Sequence, residues 1–264
     1  MNNALRAVWA FRGFVLSSVK REFQAKYRNS LLGMAWMVIH PLSMILVYTV
    51  IFSHMMKSKL PGIEGGFAYS IYLCAGILTW GLFVEIVSRA QNIFIDNANL
   101  IKKLNFPKLC LPLIVVLNAL LNFAIISALF LAFLLVAGLF PGWVALAALP
   151  VLVIQVLFSI GLGVTLGVFN VFFRDVGQLF GVVINFWFWF TPIVYPVSAL
   201  PPWLSPWLVL NPMAPLIGAY QDIFVRGQLP AWGSLAPILV LALVLCGLAA
   251  VLFRRHAGEM VDEL

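Results

Sequence analysis

The chain of 264 residues is 63% hydrophobic and 9% charged, with a mean hydropathy of +1.05, which excludes an ordinary soluble domain. This composition predicts an all-α membrane protein made of a single domain, residues 1–264. The net charge of +7 comes from basic residues at the ends of apolar stretches and in short loops, so it indicates membrane orientation and no nucleic-acid partner.

The first predicted element, residues 1–30, spaces its apolar side chains at roughly helical intervals with basic residues between them. This pattern predicts an amphipathic helix in the inner interface of the membrane. The residues support two roles equally: an orientation anchor, or a part in gating or partner contact. The segment lacks the uninterrupted apolar core of a signal peptide, so the N-terminus is expected to stay in the cytosol. Its candidate interface residues are Trp9, Lys20, Arg21, Phe23, Lys26, Tyr27 and Arg28.

Six apolar windows follow, and a bilayer core of roughly 30 Å needs about 20 residues per helix. The predicted spans are residues 31–54, 67–91, 107–138, 142–172, 176–191 and 231–253. Because the number of spans is even, both termini lie on one side of the membrane. Most basic loop residues fall on that side, so the positive-inside rule predicts cytosolic termini.

Ionisable residues are rare inside these spans. Glu85 and Arg89 lie four apart, in the order and spacing of a local helical ion pair. His40, next to Pro41, is interpreted as a helix-packing histidine rather than a proton relay. A proton-coupled carrier needs several carboxylates or histidines at membrane depth, so the energy for transport is expected to come from elsewhere.

Sequence motifs for catalysis are missing as well: there is no phosphate-binding loop, HExxH helix, CxxC pair or nucleophile elbow. The three cysteines lie in apolar segments without metal-ligand spacing and are interpreted as small buried hydrophobes. The chain is therefore expected to bind no metal or cofactor itself and not to act as an enzyme.

The cytosolic loop of residues 92–106 places apolar side chains on one helical face with charged residues beside it. This pattern predicts a short amphipathic helix that a partner can push, and an ordinary interfacial linker is the alternative. Its candidate coupling residues are Ile93, Asp96, Asn97, Leu100, Lys102 and Lys103. In the next inner loop, Asp175 with Gln178 three residues later matches a capping box.

The stretch of residues 186–212 is apolar and aromatic but is broken by prolines after Phe190. Broken backbone at membrane depth is tolerated only where protein or a water-filled cavity satisfies the freed groups. Ser205 and Asn211 each precede a proline and resemble helix N-caps. Residues 192–226 therefore predict two short helices that re-enter from the outer face, with an extracytoplasmic loop as the alternative.

Aromatic side chains are the candidates for a substrate channel, because their flat faces suit sugar rings. An interfacial belt facing lipid is the alternative for the consecutive aromatics at 186–190, and Trp203 and Trp207 are further candidates for the lumen. The candidate channel-lining set is Tyr48, Phe52, Tyr69, Tyr72, Trp80, Phe186, Trp187, Trp189, Phe190 and Tyr195.

Several strings together resemble the membrane subunit of bacterial ABC-2 type polysaccharide exporters. They are KYRNSLLG (26–33), NLIKK (99–103), FRDV (173–176), TPI (191–193) and LNP (210–212), in order over essentially the whole chain. Within that family the chain is most similar to the O-antigen permeases of lipopolysaccharide biosynthesis, with capsule and teichoic acid permeases as near relatives.

The resemblance implies a homodimer in the bacterial inner membrane, bound to two copies of a separate ATPase subunit that supplies ATP and Mg²⁺. The substrate would be an undecaprenyl-type lipid-linked polysaccharide that passes outward between the protomers. By the same resemblance, residues 92–103 correspond to the coupling helix, 5–28 to the interfacial helix and 192–226 to the re-entrant outer helices.

Two other functions remain open from the sequence. One is an ABC-2 exporter of a small lipid or drug. The other is a membrane enzyme acting on lipid-linked sugars, for which only Glu85, Asp222 and His40 are placed as catalytic candidates.

Overall fold

The computed structural model of the protein describes residues 9–27, 35–55, 67–103, 108–203 and 205–264, which are predominantly helical. Short 3₁₀ segments cover Gly142–Ala147, Val197–Ala199 and Ser205–Leu210, and a π-helical turn covers Asp222–Arg226. The α-helices are α1 (Arg12–Tyr27), α2 (Trp36–Met55), α3 (Ala68–Asp96), α4 (Ala98–Lys103), α5 (Cys110–Val136), α6 (Ala148–Phe172), α7 (Asp175–Phe190), α8 (Met213–Gln221), α9 (Trp232–His256) and α10 (Glu259–Glu263).

Four of the described helical segments are long and apolar enough to cross a bilayer: Ala68–Asp96, Cys110–Val136, Gly142–Phe172 and Trp232–His256. These segments confirm a multi-pass helical membrane protein. The six-span count stays a prediction, because α7 has only 16 residues and rises about 24 Å, less than a bilayer core of about 30 Å.

Helix α6 is the centre of the bundle and packs along α3 on one side and α9 on the other. Glycines allow both close approaches. A Cβ added at Gly163 would lie 2.6 Å from Ala90 Cβ on α3, and one added at Gly161 would lie 2.8 Å from the backbone nitrogen of Cys246 on α9. The three helices are therefore in near-backbone contact, as small residues permit in membrane bundles.

The segment after α7 returns into this bundle. In α8 the side chains of Met213, Leu216 and Ile217 are fully buried, and they pack in one cluster with residues of α3, α6 and α9. Asn211 caps α8, because its Oδ1 accepts a hydrogen bond from the amide of Met213 at 3.0 Å. The predicted N-cap at Asn211 is thus confirmed.

The capping box predicted at Asp175 is wrong. Asp175 is the first residue of α7 and follows Arg174, and neither side chain caps the helix. Asn170 on α6 takes that role instead, since its Oδ1 accepts a hydrogen bond from the amide of Gly177 at 2.9 Å. Asp175 still lies in the first turn, where a negative charge favours the helix N-terminus.

Candidate translocation cleft and coupling surface

An open cleft lined by aromatic side chains lies at the C-terminal end of α7. Its volume is about 920 Å³. We call it the aromatic cleft, and its lining residues are Trp187, Trp189, Phe190, Tyr195, Leu200, Trp203, Trp207, Leu208, Leu210, Asn211 and Pro212. Of these, Trp189 and Phe190 are 64% and 59% exposed, so they present open ring faces to whatever occupies the cleft.

Asn211 holds the broken end of α7 in place. Its Oδ1 accepts a hydrogen bond from the Trp187 indole at 2.8 Å. Its Nδ2 donates to the carbonyl oxygen of Phe190 at 3.2 Å and to Thr191 Oγ1 at 3.0 Å. A single amide therefore fixes one wall of the aromatic cleft to the start of α8.

The proline-containing backbone beyond α7 is satisfied from α3 and α8. The Tyr72 hydroxyl lies 3.0 Å from the carbonyl oxygen of Pro192 and 2.9 Å from that of Tyr195, and the Tyr69 hydroxyl donates to the carbonyl of Val194. Gln221 adds a hydrogen bond to the carbonyl of Pro192 at 3.2 Å. Protein groups thus replace the helical partners that the prolines remove.

The structure brings together only part of the predicted channel set. Trp187, Trp189, Phe190 and Tyr195 line the cleft, whereas Phe186 is exposed on α7 outside it. Tyr69, Tyr72 and Trp80 are buried inside the protomer, Trp80 against the rings of Phe83, Trp187 and Phe188. The side chains of Tyr48 and Phe52 lie outside the described residues.

Helix α1 is fastened to α3 and α5 at the opposite end of the molecule. Val15 and Val19 pack with Cys110 and Ile114 of α5, and all four are buried. At the next turn, Glu22 forms an ion pair with Arg89 and accepts a hydrogen bond from Asn118 Nδ2 at 2.7 Å. Apolar packing and one charged contact therefore dock α1 onto the bundle.

This contact overturns the predicted ion pair between Glu85 and Arg89. Arg89 turns to Glu22, and Glu85 instead accepts a hydrogen bond from Asn122 Nδ2 at 2.9 Å. The reason is that α1 supplies a closer carboxylate for the guanidinium while α5 supplies an amide for Glu85. Sequence spacing along one helix carries no information about either partner.

The predicted interfacial residues of α1 are mostly exposed. Trp9, Lys20 and Arg21 face outward, and Phe23 is half-buried. The guanidinium carbon of Arg12 lies 5.0 Å from the Trp9 ring centroid. Arg28 and the side chains of Lys26 and Tyr27 lie outside the described residues.

The predicted coupling residues divide between α3 and α4. Ile93 is buried, and its carbonyl accepts a hydrogen bond from Asn97 Nδ2 at 2.8 Å where α3 ends. Leu100 is half-buried, whereas Asp96 and Lys102 are exposed. The Lys103 side chain lies outside the described residues. Helix α4 itself is seated by Ile101, which packs in a buried cluster with Met260 of α10.

A buried polar contact joins the C-terminal ends of α3 and α6 to the N-terminal end of α7. Asn170 Nδ2 donates to the carbonyl of Gln91 and to Asn92 Oδ1, each at 3.1 Å. Gln91 Nε2 in turn donates to the carbonyl of Gly177 at 3.3 Å. We call this the Asn170 knot. It links the helix that leads into α4 to the helix that carries the aromatic cleft.

The candidates for catalysis are not assembled into one site. His40 and Glu85 line a cavity of about 210 Å³ between α2, α3 and α5, while Asp222 pairs with Arg226 at 2.7 Å. Within the described ranges, no three His, Cys, Asp or Glu side chains cluster closely enough to hold a metal ion.

The family model and the similar proteins that match this chain agree with one another. The family model for ABC-2 type transporters matches residues 14–225. The O-antigen export system permease protein RfbA of Myxococcus xanthus is 30% identical over 266 residues, covering 100% of both chains. Two proteins of the same printed name from Klebsiella pneumoniae are each 30% identical over 210 residues, covering 79% of this chain and 79% of their own.

Proposed function

The chain belongs to the ABC-2 type transporter family, and we propose that it is the membrane permease of an exporter for O-antigen polysaccharide. Permeases of this family normally work with a nucleotide-binding ATPase subunit. The chain itself carries no phosphate-binding loop in its sequence, so ATP hydrolysis is assigned to such a partner.

The aromatic cleft is the observation that carries this proposal. Indole and phenol rings offer flat apolar faces with a polar edge, which suits a sugar whose ring stacks while its hydroxyls stay wet. Its volume of about 920 Å³ is near the upper end of ordinary ligand pockets, as a polymer segment requires. Among the described residues, no carboxylate lines the cleft, so the cleft suits a neutral glycan better than a cation.

A second copy of the chain is proposed to close the cleft into a channel. Helix α7 presents an apolar stripe at helical spacing, and every member of it is more than 40% exposed. The stripe consists of Leu179, Val182, Val183, Phe186, Trp189 and Phe190. Other spans also expose apolar side chains, as lipid contact allows, and we place a second copy at this stripe because Trp189 and Phe190 belong to the aromatic cleft as well. In the proposed assembly, two protomers lie in the bacterial inner membrane with both termini in the cytosol, and two ATPase subunits bind to them. An undecaprenyl-type lipid carries the glycan.

Helix α3 is the proposed mechanical link between ATPase and channel. Its inner end leads into α4 and is tied to the start of α7 through the Asn170 knot. Its outer end binds the backbone beyond α7 through Tyr69 and Tyr72. A push on the exposed face of α4 is therefore transmitted along about 43 Å of helix to both ends of α7.

The test is export in a strain that lacks the chain and is complemented with variants. Trp189→Ala is expected to lower the polysaccharide at the cell surface by about two- to tenfold, the range of one lost aromatic contact, with lipid-linked polymer accumulating inside. Trp143→Ala is the matched control, because Trp143 is 87% exposed but lies outside the cleft. Loss of polymer synthesis, or equal losses of export for both variants, would contradict the proposal.

A further inference from the structure

A second, apolar groove lies between the inner ends of α3, α5, α6 and α9, on helices other than α7. Its volume is about 250 Å³. Ten of its twelve lining residues are uncharged, and the other two are cations. The lining consists of Phe94, Lys108, Leu109, Pro112, Ile160, Gly161, Val164, Cys246, Ala249, Ala250, Phe253 and Arg254.

Small residues create this groove. Gly161 brings α6 so close to Cys246 of α9 that an added Cβ would lie 2.8 Å from the Cys246 backbone nitrogen. Ala249 and Ala250 then leave the adjoining surface of α9 without long side chains. The result is an apolar depression whose lining on α6 and α9 is mostly short or uncharged side chains.

Two cations line the groove, and neither forms an ion pair with a carboxylate of the described residues. Lys108 donates one hydrogen bond to the carbonyl of Ala257 at 3.3 Å, which leaves two of its three N–H groups. Arg254 lies in the last turn of α9 and forms no ion pair within the described part of the chain. The neighbouring Glu259 is engaged by His256 at 2.7 Å. The positive charge at this position is therefore available to an anion.

We propose that this groove binds one anionic phospholipid of the cytosolic leaflet. One acyl chain lies along the apolar floor, and the phosphate lies between Lys108 and Arg254, where ammonium and guanidinium groups donate charge-assisted hydrogen bonds. The lipid thereby joins the start of α5 to the end of α9 beside the turn that leads into α4. This site is distinct from the aromatic cleft and takes a lipid rather than the glycan.

The experiment uses the full chain in lipid nanodiscs that contain phosphatidylglycerol with a photoactivatable acyl chain. Crosslinks are expected on the groove-lining residues of α6 and α9. Lys108→Gln is expected to lower this labelling about fivefold, and Lys108→Gln with Arg254→Gln about 30-fold, from the attraction of each cation for an anionic lipid. Arg255→Gln is the matched control, because Arg255 is exposed at the same helix end but does not line the groove.

A groove-filling variant tests the site without altering its charge. Ala250→Phe projects a ring into the groove from an exposed position, so it is expected to reduce labelling while the protein still elutes as a folded species. Equal labelling by a phosphatidylcholine probe would overturn the proposal. So would an equal loss in Arg255→Gln, crosslinks to a second copy of the chain at this groove, or displacement of the probe by lipid-linked glycan alone.

Discussion

The contact between α3 and α6 gives a sharp test of the packing. Gly163→Ala places two methyl groups where the structure has room for one, because the new Cβ would lie 2.6 Å from Ala90 Cβ. Ordinary contact begins at 3.4 Å, so the two carbons must separate by about 0.8 Å. Overpacking of this kind costs about 1–3 kcal/mol.

Ala90→Gly is expected to relieve the clash. The double variant moves one methyl group from α3 to α6, so the difference in helix propensity of about 1 kcal/mol between Ala and Gly cancels. A residual contact with Val87 Cα at 3.1 Å makes the rescue partial. Gly167→Ala should not be rescued, since its Cβ would lie 2.7 Å from the backbone oxygen of Ala90, which Ala90→Gly leaves in place.

The measurement is the midpoint of thermal aggregation of the purified full chain in one detergent, where each kcal/mol corresponds to about 2–4 °C. Gly247→Ala on α9 is the control and should leave the midpoint unchanged or higher, because its Cβ meets nothing within 4 Å. If the double variant is as unstable as the sum of its single changes, or if Ala90→Gly rescues Gly167→Ala equally well, the assigned contact is refuted.

Three further substitutions test the coupling surface and its connections. Lys102→Glu should reduce either the amount of ATPase subunit that copurifies with the chain or the substrate-stimulated rate of ATP hydrolysis, because it reverses a charge on the exposed side of α4. Wild-type values for both measurements would contradict a role of Lys102 in coupling. Arg89→Glu should lower export, and adding Glu22→Arg in the same chain should restore part of it. The ion pair contributes at most about 1 kcal/mol to stability, because its side chains are 37% and 43% exposed. Gly177→Ala should uncouple export from hydrolysis, because the added Cβ would lie 2.9 Å from Asn170 Oδ1 and would displace that side chain. Gly181→Ala should leave coupling unchanged, because its added Cβ meets nothing within 4 Å. Similar losses in both variants would remove the Asn170 knot from the coupling path.

Hydrophobicity along the chain is sufficient to place the long helices. The windows at 142–172 and 231–253 correspond to the helical segments Gly142–Phe172 and Trp232–His256, because charged residues, glycine and proline mark their ends. Asn211 could also be identified as a cap, since its partner amide lies two residues away. Such features depend on neighbours in sequence.

Partners that are distant in sequence could not be predicted in this way. Glu22 and Arg89 are 67 positions apart, and only the docking of α1 on α5 brings them together. Tyr69 and Tyr72 are amphipathic, so composition alone cannot distinguish a ring that faces a lumen from one whose hydroxyl binds the backbone more than 100 residues later. The cap of α7 from Asn170 could not be predicted for a different reason: Asn170 is only 7 positions before Gly177, but it belongs to the preceding helix, and the turn between α6 and α7 brings it to the amide.

The attachment of α7 at both ends to α3 limits how the aromatic wall can move. Tilting α7 alone would break the hydrogen bonds of the Asn170 knot at one end or those of Tyr69 and Tyr72 at the other. We therefore expect α3 and α7 to move together when α4 is displaced. In the proposed dimer, an opening between two such units is therefore expected to change in width, while its length along α7 stays constant.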